Sequence, residues 1–468
     1  MEDRALRRAA DLALGFLGGL PERFVGERAS IEELRAALDV PLEDAPLPPH
    51  EVIEQLAAAV EPGLVASAGP RYFGFVIGGA LPSALAADWL TSAWDQNSGG
   101  YPVAPSASVA EEVAGAWLLD LLGLPADAGV GLTTGCQMAH VTCLAAARHR
   151  VLHDSGWDVE AEGLFGAPAV RVLVNERAHA SVFAALRLLG FGSGRSELVP
   201  ADDQGRIRVA ELEAMLARGG GRAIVIAQAG DVNTGAIDAL ADITRLAREH
   251  GAWCHIDGAF GLWAMASPAL RGLVEGSADA DSWATDAHKW LNVPYDCGVA
   301  VVRDRDAHVA AMNSFEGAAY IPGRAHDERN QSEWVPEFSR RARGFTVYAA
   351  LRELGRRGVA DLVERCCAHA RLMAELLAEE DGVTVLNDVV LNQVLVRFGR
   401  DADNATDEVI RAVQRDGTCW MSGTRFGGEA AMRISVCNWR TTEEDIRRSA
   451  AAIHACATAV VGGAARGA

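Results

Sequence analysis

Residues 223–260 read AIVIAQAGDVNTGAIDALADITRLAREHGAWCHIDGAF. The runs 223–227 and 253–256 are short and apolar, and residues 236–250 between them have helical periodicity. Strands that are apolar throughout, joined by a helix, argue for a mostly parallel sheet covered on both faces. The crossovers of such a sheet are right-handed. The pattern extends outward from here. Further strands are expected at 170–174, 281–285 and 298–302. Residues 314–339 break it: they are polar, hold Gly317, Pro322, Gly323 and Pro336, and have no apolar period. A loop this long inside a compact domain is usually functional or mobile. Helices at 345–354 and 359–378, strands at 393–398 and 431–436, and a last helix from Thr441 follow. Upstream, the first 70 residues read as helical. Ser30-Ile31-Glu32-Glu33 forms a capping box, and 41–49 is a proline-rich connector. The expected organisation is a helical N-terminal segment (1–79), a large α/β domain (80–343) and a smaller α+β domain (344–468).

The 468 residues are enough for a large core, and 50% hydrophobic with 23% charged is ordinary for a globular protein. The 43 basic and 63 acidic residues give a net charge of −20. Such a surface repels phosphate backbones and anionic lipid, so neither nucleic acid nor a membrane is an expected partner. No apolar run approaches the roughly 20 residues of a membrane helix. Arg7-Arg8 precedes the short apolar stretch 12–20, but no small-residue cleavage site follows, so this stretch reads as an amphipathic helix. Nine cysteines without a C-x-x-C pair read as reduced thiols of a cytoplasmic protein, with no metal site expected.

Of the 43 basic residues only one, Lys289, is a lysine. Arginine carries charge but cannot supply an amine that loses its proton at working pH, so Lys289 is a candidate for amine chemistry. Three further features fall where an open α/β sheet places ligands, at strand C-termini and helix N-termini. Gly131-Leu132-Thr133-Thr134-Gly135-Cys136-Gln137 opens a helix whose first N–H groups suit a phosphate. Asp257 ends a strand beside the small Gly258 and Ala259, which let a flat ligand approach. His179 follows the strand at 170–174. Each also has a structural reading: a turn for the loop, a cap for Asp257, a core or capping role for His179. Taken together with Lys289 they match what pyridoxal 5′-phosphate (PLP) requires: a Schiff-base lysine, an acid facing the pyridine nitrogen, a phosphate cradle and an aromatic ring.

At this point the chain resembles a known family, the PLP-dependent amino acid decarboxylases of the aromatic and glutamate decarboxylase type (group II), which have the aspartate aminotransferase-like fold type I. Asp281-Ser282-Trp283-Ala284-Thr285-Asp286-Ala287-His288-Lys289-Trp290 is similar to the family's D-S-x-x-x-x-P-H-K-W, and His255-Ile256-Asp257-Gly258-Ala259-Phe260 to H-V-D-A-A-Y. The likeness runs from about Gly69 to Trp439. It implies a mostly parallel sheet of the seven-stranded type and a homodimer with the site at the interface. By resemblance, Lys289 forms the Schiff base, Asp257 pairs with the pyridine nitrogen and Ala259 lies beside the ring. His179 stacks on the ring, Cys136 and Gln137 hold the phosphate with His288 adjoining, and Asp286 takes a polar position of the motif. Pro70, Phe75, Val76 and Gly78 match a stretch that lines the substrate pocket.

The likeness has departures. Ala287 replaces a proline, Cys136-Gln137 replaces Gly-Ser or Ala-Ser, and Asp231 stands at a common threonine. Members often use a loop tyrosine to protonate the carbanion left by carbon dioxide. That position falls at Gln331, and the nearest tyrosine is Tyr320. The expected reaction is decarboxylation of an L-amino acid, apolar or aromatic by the hint of Phe75 and Val76. The alternatives are a PLP enzyme with another outcome (oxidation to an aldehyde, transamination, aldol-type or elimination chemistry) and a non-catalytic binding protein on the same fold.

Overall fold

The structure is a computed structural model that describes residues 2–42, 44–313, 328–399 and 403–464. Of the expected loop at 314–339, residues 314–327, including Tyr320, lie outside the described residues. The chain forms two compact units. One contains Gly78–Arg371 and Asn387–Val394; the other contains the residues up to Ile77, Leu372–Leu386 and Leu395–Ala468.

The larger unit is built on a seven-stranded sheet. Its strands are β1 (Gly129–Thr133), β2 (Val170–Asn175), β3 (Glu197–Val199), β4 (Arg222–Gln228), β5 (Trp253–Asp257), β6 (Ser282–Asp286) and β7 (Gly298–Val302). Their spatial order is β1-β7-β6-β5-β4-β2-β3. β3, β2, β4, β5 and β6 pair in parallel, whereas β7 runs antiparallel to both β6 and β1. The short 287–297 connection explains the reversal, since a parallel crossover needs a dozen residues or more. β1, β5, β6 and β7 are buried along their whole length. The helix Cys136–His153 packs across this sheet, with Cys143 Sγ 3.3 Å from the Trp283 carbonyl of β6 and 3.6 Å from the Val301 carbonyl of β7, and its Ala139 and Leu144 share one buried core with Val172, Val174, Ile224 and Ile226.

β1 escapes the sequence reading because its glycines mask it. A Cβ at Gly129 would stand 2.5 Å from Cζ3 of Trp334, and one at Gly131 2.3 Å from the Trp334 carbonyl oxygen. The strand needs glycine there for close approach, against its ordinary propensity. The helix expected at 236–250 begins only at Leu240. Before it, Ala229 bridges to Ile237, and Oδ1 of Asp231 accepts the N–H groups of Asn233 and Thr234 in a tight turn.

The smaller unit begins with the helices Glu2–Gly19, Ile31–Leu38 and Pro49–Val60. The Ser30 capping box forms as expected: Ser30 Oγ accepts the Glu33 N–H, and Glu33 Oε2 accepts the Ser30 N–H at 2.7 Å. Most of a second sheet belongs here, with β8 (Val383–Val385), β9 (Gln393–Phe398), β10 (Ser422–Phe426) and β11 (Glu429–Ser435) in the order β10-β11-β9-β8. The sequence reading divides 1–79 from 344–468, yet the structure gathers much of both into this one unit. The reason is a shared core: Leu20, Val25, Ala66 and Tyr72 are buried together, and the Tyr72 ring stacks on Trp420 at 5.0 Å. The two helices expected at 345–354 and 359–378 form one helical stretch, Arg343–Ala378, interrupted at Gly355 with φ 60°. Among the described residues no helix is long and apolar enough to cross a membrane.

Candidate active site

The C-terminal ends of β1, β2, β5 and β6 share one edge of the large sheet, and the sequence-expected chemistry gathers there. Asp286, the last residue of β6, is its hub. Oδ2 of Asp286 lies 3.0 Å from Lys289 Nζ. Oδ1 accepts the Cys136 N–H at 2.6 Å, at the start of the helix Cys136–His153, and faces His288 Nε2 at 3.4 Å. Burial disfavours the Lys289 ammonium, but Asp286, Cys136 and Asp257 outweigh it, so the amine is held above its ordinary range. His288 is fixed on its other side, where Nδ1 accepts the Cys297 N–H and the ring stacks on Tyr295 at 4.3 Å. Burial first, then the Lys289 charge, hold His288 low, partly opposed by Asp286.

Asp257 ends β5 and is only 6% exposed. Its Oδ1 accepts the Ala259 N–H at 3.1 Å, and its Oδ2 lies 3.5 Å from Nε2 of His140. Burial would raise this carboxyl, but His140, His179 and the Ala259 N–H together hold it well below the usual carboxylate range. The Ala259 carbonyl in turn accepts the Asp286 N–H, which joins the ends of β5 and β6. Gly78 packs directly on the Lys289 carbonyl, where a Cβ would approach to 1.9 Å. Cys136 is buried, and burial followed by Asp286 and Asp257 push its thiol well up, so it is no nucleophile. Its Sγ, Nε2 of His140 and an Asp257 oxygen lie within 4.8 Å of one another.

Lys289, Asp257, Asp286, His288, Cys136, Ala259 and Gly78 are thus brought together. Gln137 is the exposed second residue of the helix that Cys136 opens. His179 is exposed and caps the helix Ala180–Leu188, its Nδ1 accepting the Ser181 N–H. Phe75 and Val76 belong to the smaller unit, both with positive φ (54° and 57°); the Phe75 ring lies 5.5 Å from Trp420 and Val76 is buried. Gln331 is wholly buried, and its Oε1 accepts the Ser108 hydroxyl at 2.9 Å. Sequence reasoning missed His140, His255, Ser282 and Asn292. Two of them had a signal: His140 is one turn beyond Cys136, and His255 is two residues before Asp257 on the same strand face. All nine cysteines are free.

Residues 32–398 match the family profile of the pyridoxal-dependent decarboxylase conserved domain, well over half of the chain. The chain belongs to that family. It is 30% identical to L-2,4-diaminobutyrate decarboxylase of Rhizobium meliloti (strain 1021) over 383 residues, 79% of this chain and 74% of the relative. It is 26% identical to aromatic-L-amino-acid decarboxylase of Bacillus atrophaeus over 453 residues, 94% of this chain and 92% of the relative. Its fold matches that of Oryza sativa TDC, solved with PLP and tryptamine, with a TM-score of 0.90 at 23% identity over 97% of each chain. This decarboxylase is therefore a PLP-dependent carboxy-lyase of fold type I. Its residues fit the cofactor: the one side-chain amine of the chain is half-buried beside Asp286, and a buried carboxylate is kept ionised at the neighbouring strand end. Close by, the helix Cys136–His153 begins with the exposed Gln137 in its first turn.

Proposed function

We propose that this decarboxylase acts on an L-amino acid, with apolar or aromatic side chains preferred, and releases the amine and carbon dioxide. The observation that carries the reading is the half-buried Lys289 facing Asp286 at 3.0 Å, beside the ionised Asp257. PLP, when bound, supplies an amine-reactive aldehyde and a ring that accepts the electron pair left by the departing carboxylate. Lys289 Nζ would hold it, and Asp257 would keep a proton on the ring nitrogen. Cys136 and Gln137 would take the phosphate end with His288 adjoining, Asp286 faces Lys289 as a polar residue of the motif, and Ala259 leaves room for the ring. His179 accepts at Nδ1, so its exchangeable proton sits on Nε2, from where it serves as donor to the reacting carbon. Phe75, Val76, Gly78 and Gln331 are assigned to the substrate side. The protein works as a cytoplasmic homodimer, by resemblance to related proteins.

The test is mass spectrometry of products after the PLP-loaded protein meets a pool of amino acids in air. An amine lighter than its parent by carbon dioxide supports the reading and names the substrate. An aldehyde, a keto acid or no product overturns it. Lys289→Ala is expected to abolish both turnover and the cofactor's absorbance in the near-visible; persistence of that band would refute the lysine assignment, since the chain holds no other lysine.

A further inference from the structure

Behind Asp257 runs a buried chain of hydrogen-bonding groups that leaves the sheet edge. His140 Nδ1 lies 3.0 Å from His255 Nε2. His255 Nδ1 lies 2.9 Å from Ser282 Oγ. Ser282 Oγ accepts the indole N–H of Trp253 at 2.9 Å. His140, His255 and Ser282 are fully buried, and the two rings meet edge to face at 5.2 Å.

The far end of this chain decides where its protons sit. An indole nitrogen only donates, so Ser282 Oγ must accept there. The Ser282 hydroxyl proton then has His255 Nδ1 as its acceptor. His255 carries its own proton on Nε2 and gives it to His140 Nδ1. His140 is left with its proton on Nε2, the nitrogen 3.5 Å from Asp257 Oδ2. The opposite order would leave a buried hydroxyl proton without an acceptor in the chain, which is costly. Burial pushes His255 down to about 3, in keeping with a neutral ring. The groups facing His140 are Asp257 and His255 on β5 and Cys136, whose Sγ lies 3.5 Å from Nε2, on its own helix.

We propose that His140 is a positioning residue for the cofactor: its tautomer, set by His255, Ser282 and Trp253, presents Nε2–H to Asp257 and keeps that carboxylate ionised and aimed at the ring nitrogen. At 3.5 Å the contact is longer than an optimal hydrogen bond, so it acts through charge and dipole in a buried setting, where such forces are strong. The proposal rests on the role given to Asp257 above.

Two measurements test it. The first is ¹⁵N NMR of histidine-labelled apoprotein at neutral pH, with His140→Gln and His255→Gln used for assignment. Nε2–H tautomers at both rings are expected; an Nδ1–H tautomer at either, or an imidazolium at His140, overturns the proposal. The second is PLP affinity by equilibrium dialysis, with circular dichroism to confirm folding. His140→Leu is expected to weaken binding about tenfold or more, while His140→Gln, whose amide still donates, restores most of it. Binding by His140→Leu within about twofold of wild type, or no rescue by glutamine, overturns it. Asp257→Ala separates the two levels. If it leaves PLP binding intact, the role of Asp257 itself fails; if it weakens binding while His140→Leu does not, only the present inference fails. Should the leucine variant not fold, the tautomers of the wild-type protein still decide.

Discussion

Gly78→Ala puts a methyl group where the structure has least room. The added Cβ would stand 1.9 Å from the Lys289 carbonyl oxygen, 3.0 Å from its carbon and 3.2 Å from the His288 carbonyl oxygen. Contacts under 3.0 Å essentially never occur at real Cβ atoms, so the two backbones must part by at least about 1 Å. Neither can yield easily. The Lys289 carbonyl accepts both the backbone N–H and the side-chain amide of Asn292. Asn292 Oδ1 accepts the Gly79 N–H at 2.8 Å, and its carbonyl accepts the Leu81 N–H. The methyl therefore pushes on Lys289, the residue proposed to hold the cofactor. Overpacking of this kind costs about 1–3 kcal/mol of stability, and a misplacement of about 1 Å at a reacting group costs about 100-fold in rate. The assay is turnover and cofactor absorbance beside a thermal melt of the larger unit in the intact protein. Gly78→Ala turning over within about twofold of wild type, with an unchanged melt, would refute the claim that this contact sets the lysine.

Other expectations concern charge. In Asp286→Asn the carboxylate that most favours the Lys289 ammonium is lost, so burial dominates and the amine pKa falls. The pH midpoint of cofactor attachment, followed by absorbance, should move down; an unmoved midpoint would show that Asp286 does not hold the proton. His308 is buried with Nε2–H donated to the Trp334 carbonyl, and burial pushes it from 6.5 down to about 3. Its folded value lies below its unfolded one, so its stabilisation is present above about pH 6.5 and is lost as the pH falls towards 3. His255 acts with the same sign. Urea titrations between pH 7 and pH 5 should show stability falling, and His308→Gln should flatten the slope by up to about 1.4 kcal/mol per pH unit. A full slope in that variant would remove His308 as a cause.

The strands at 170, 223, 253, 298 and 393 were legible because apolar β-branched runs bounded by polar turns are local signals. β1 was not, since its glycines answer to Trp334, some two hundred residues later in the chain. Lys289 stood out from composition alone, and Asp257 and His179 from their places after strands. The sequence places Gln331 by counting along the loop, and only the structure shows its Oε1 accepting the Ser108 hydroxyl.

By itself, the sequence determined the layered α/β class and marked Lys289 and Asp257 as candidates for the site, because spacing and residue type are properties of the chain. Only the tertiary structure decided what holds them. His140 reaches His255 across 115 positions, and Asn292 reaches Gly79 across 213. Such contacts depend on which strands neighbour one another and how closely two backbones pass, and no local pattern of residues encodes those distances.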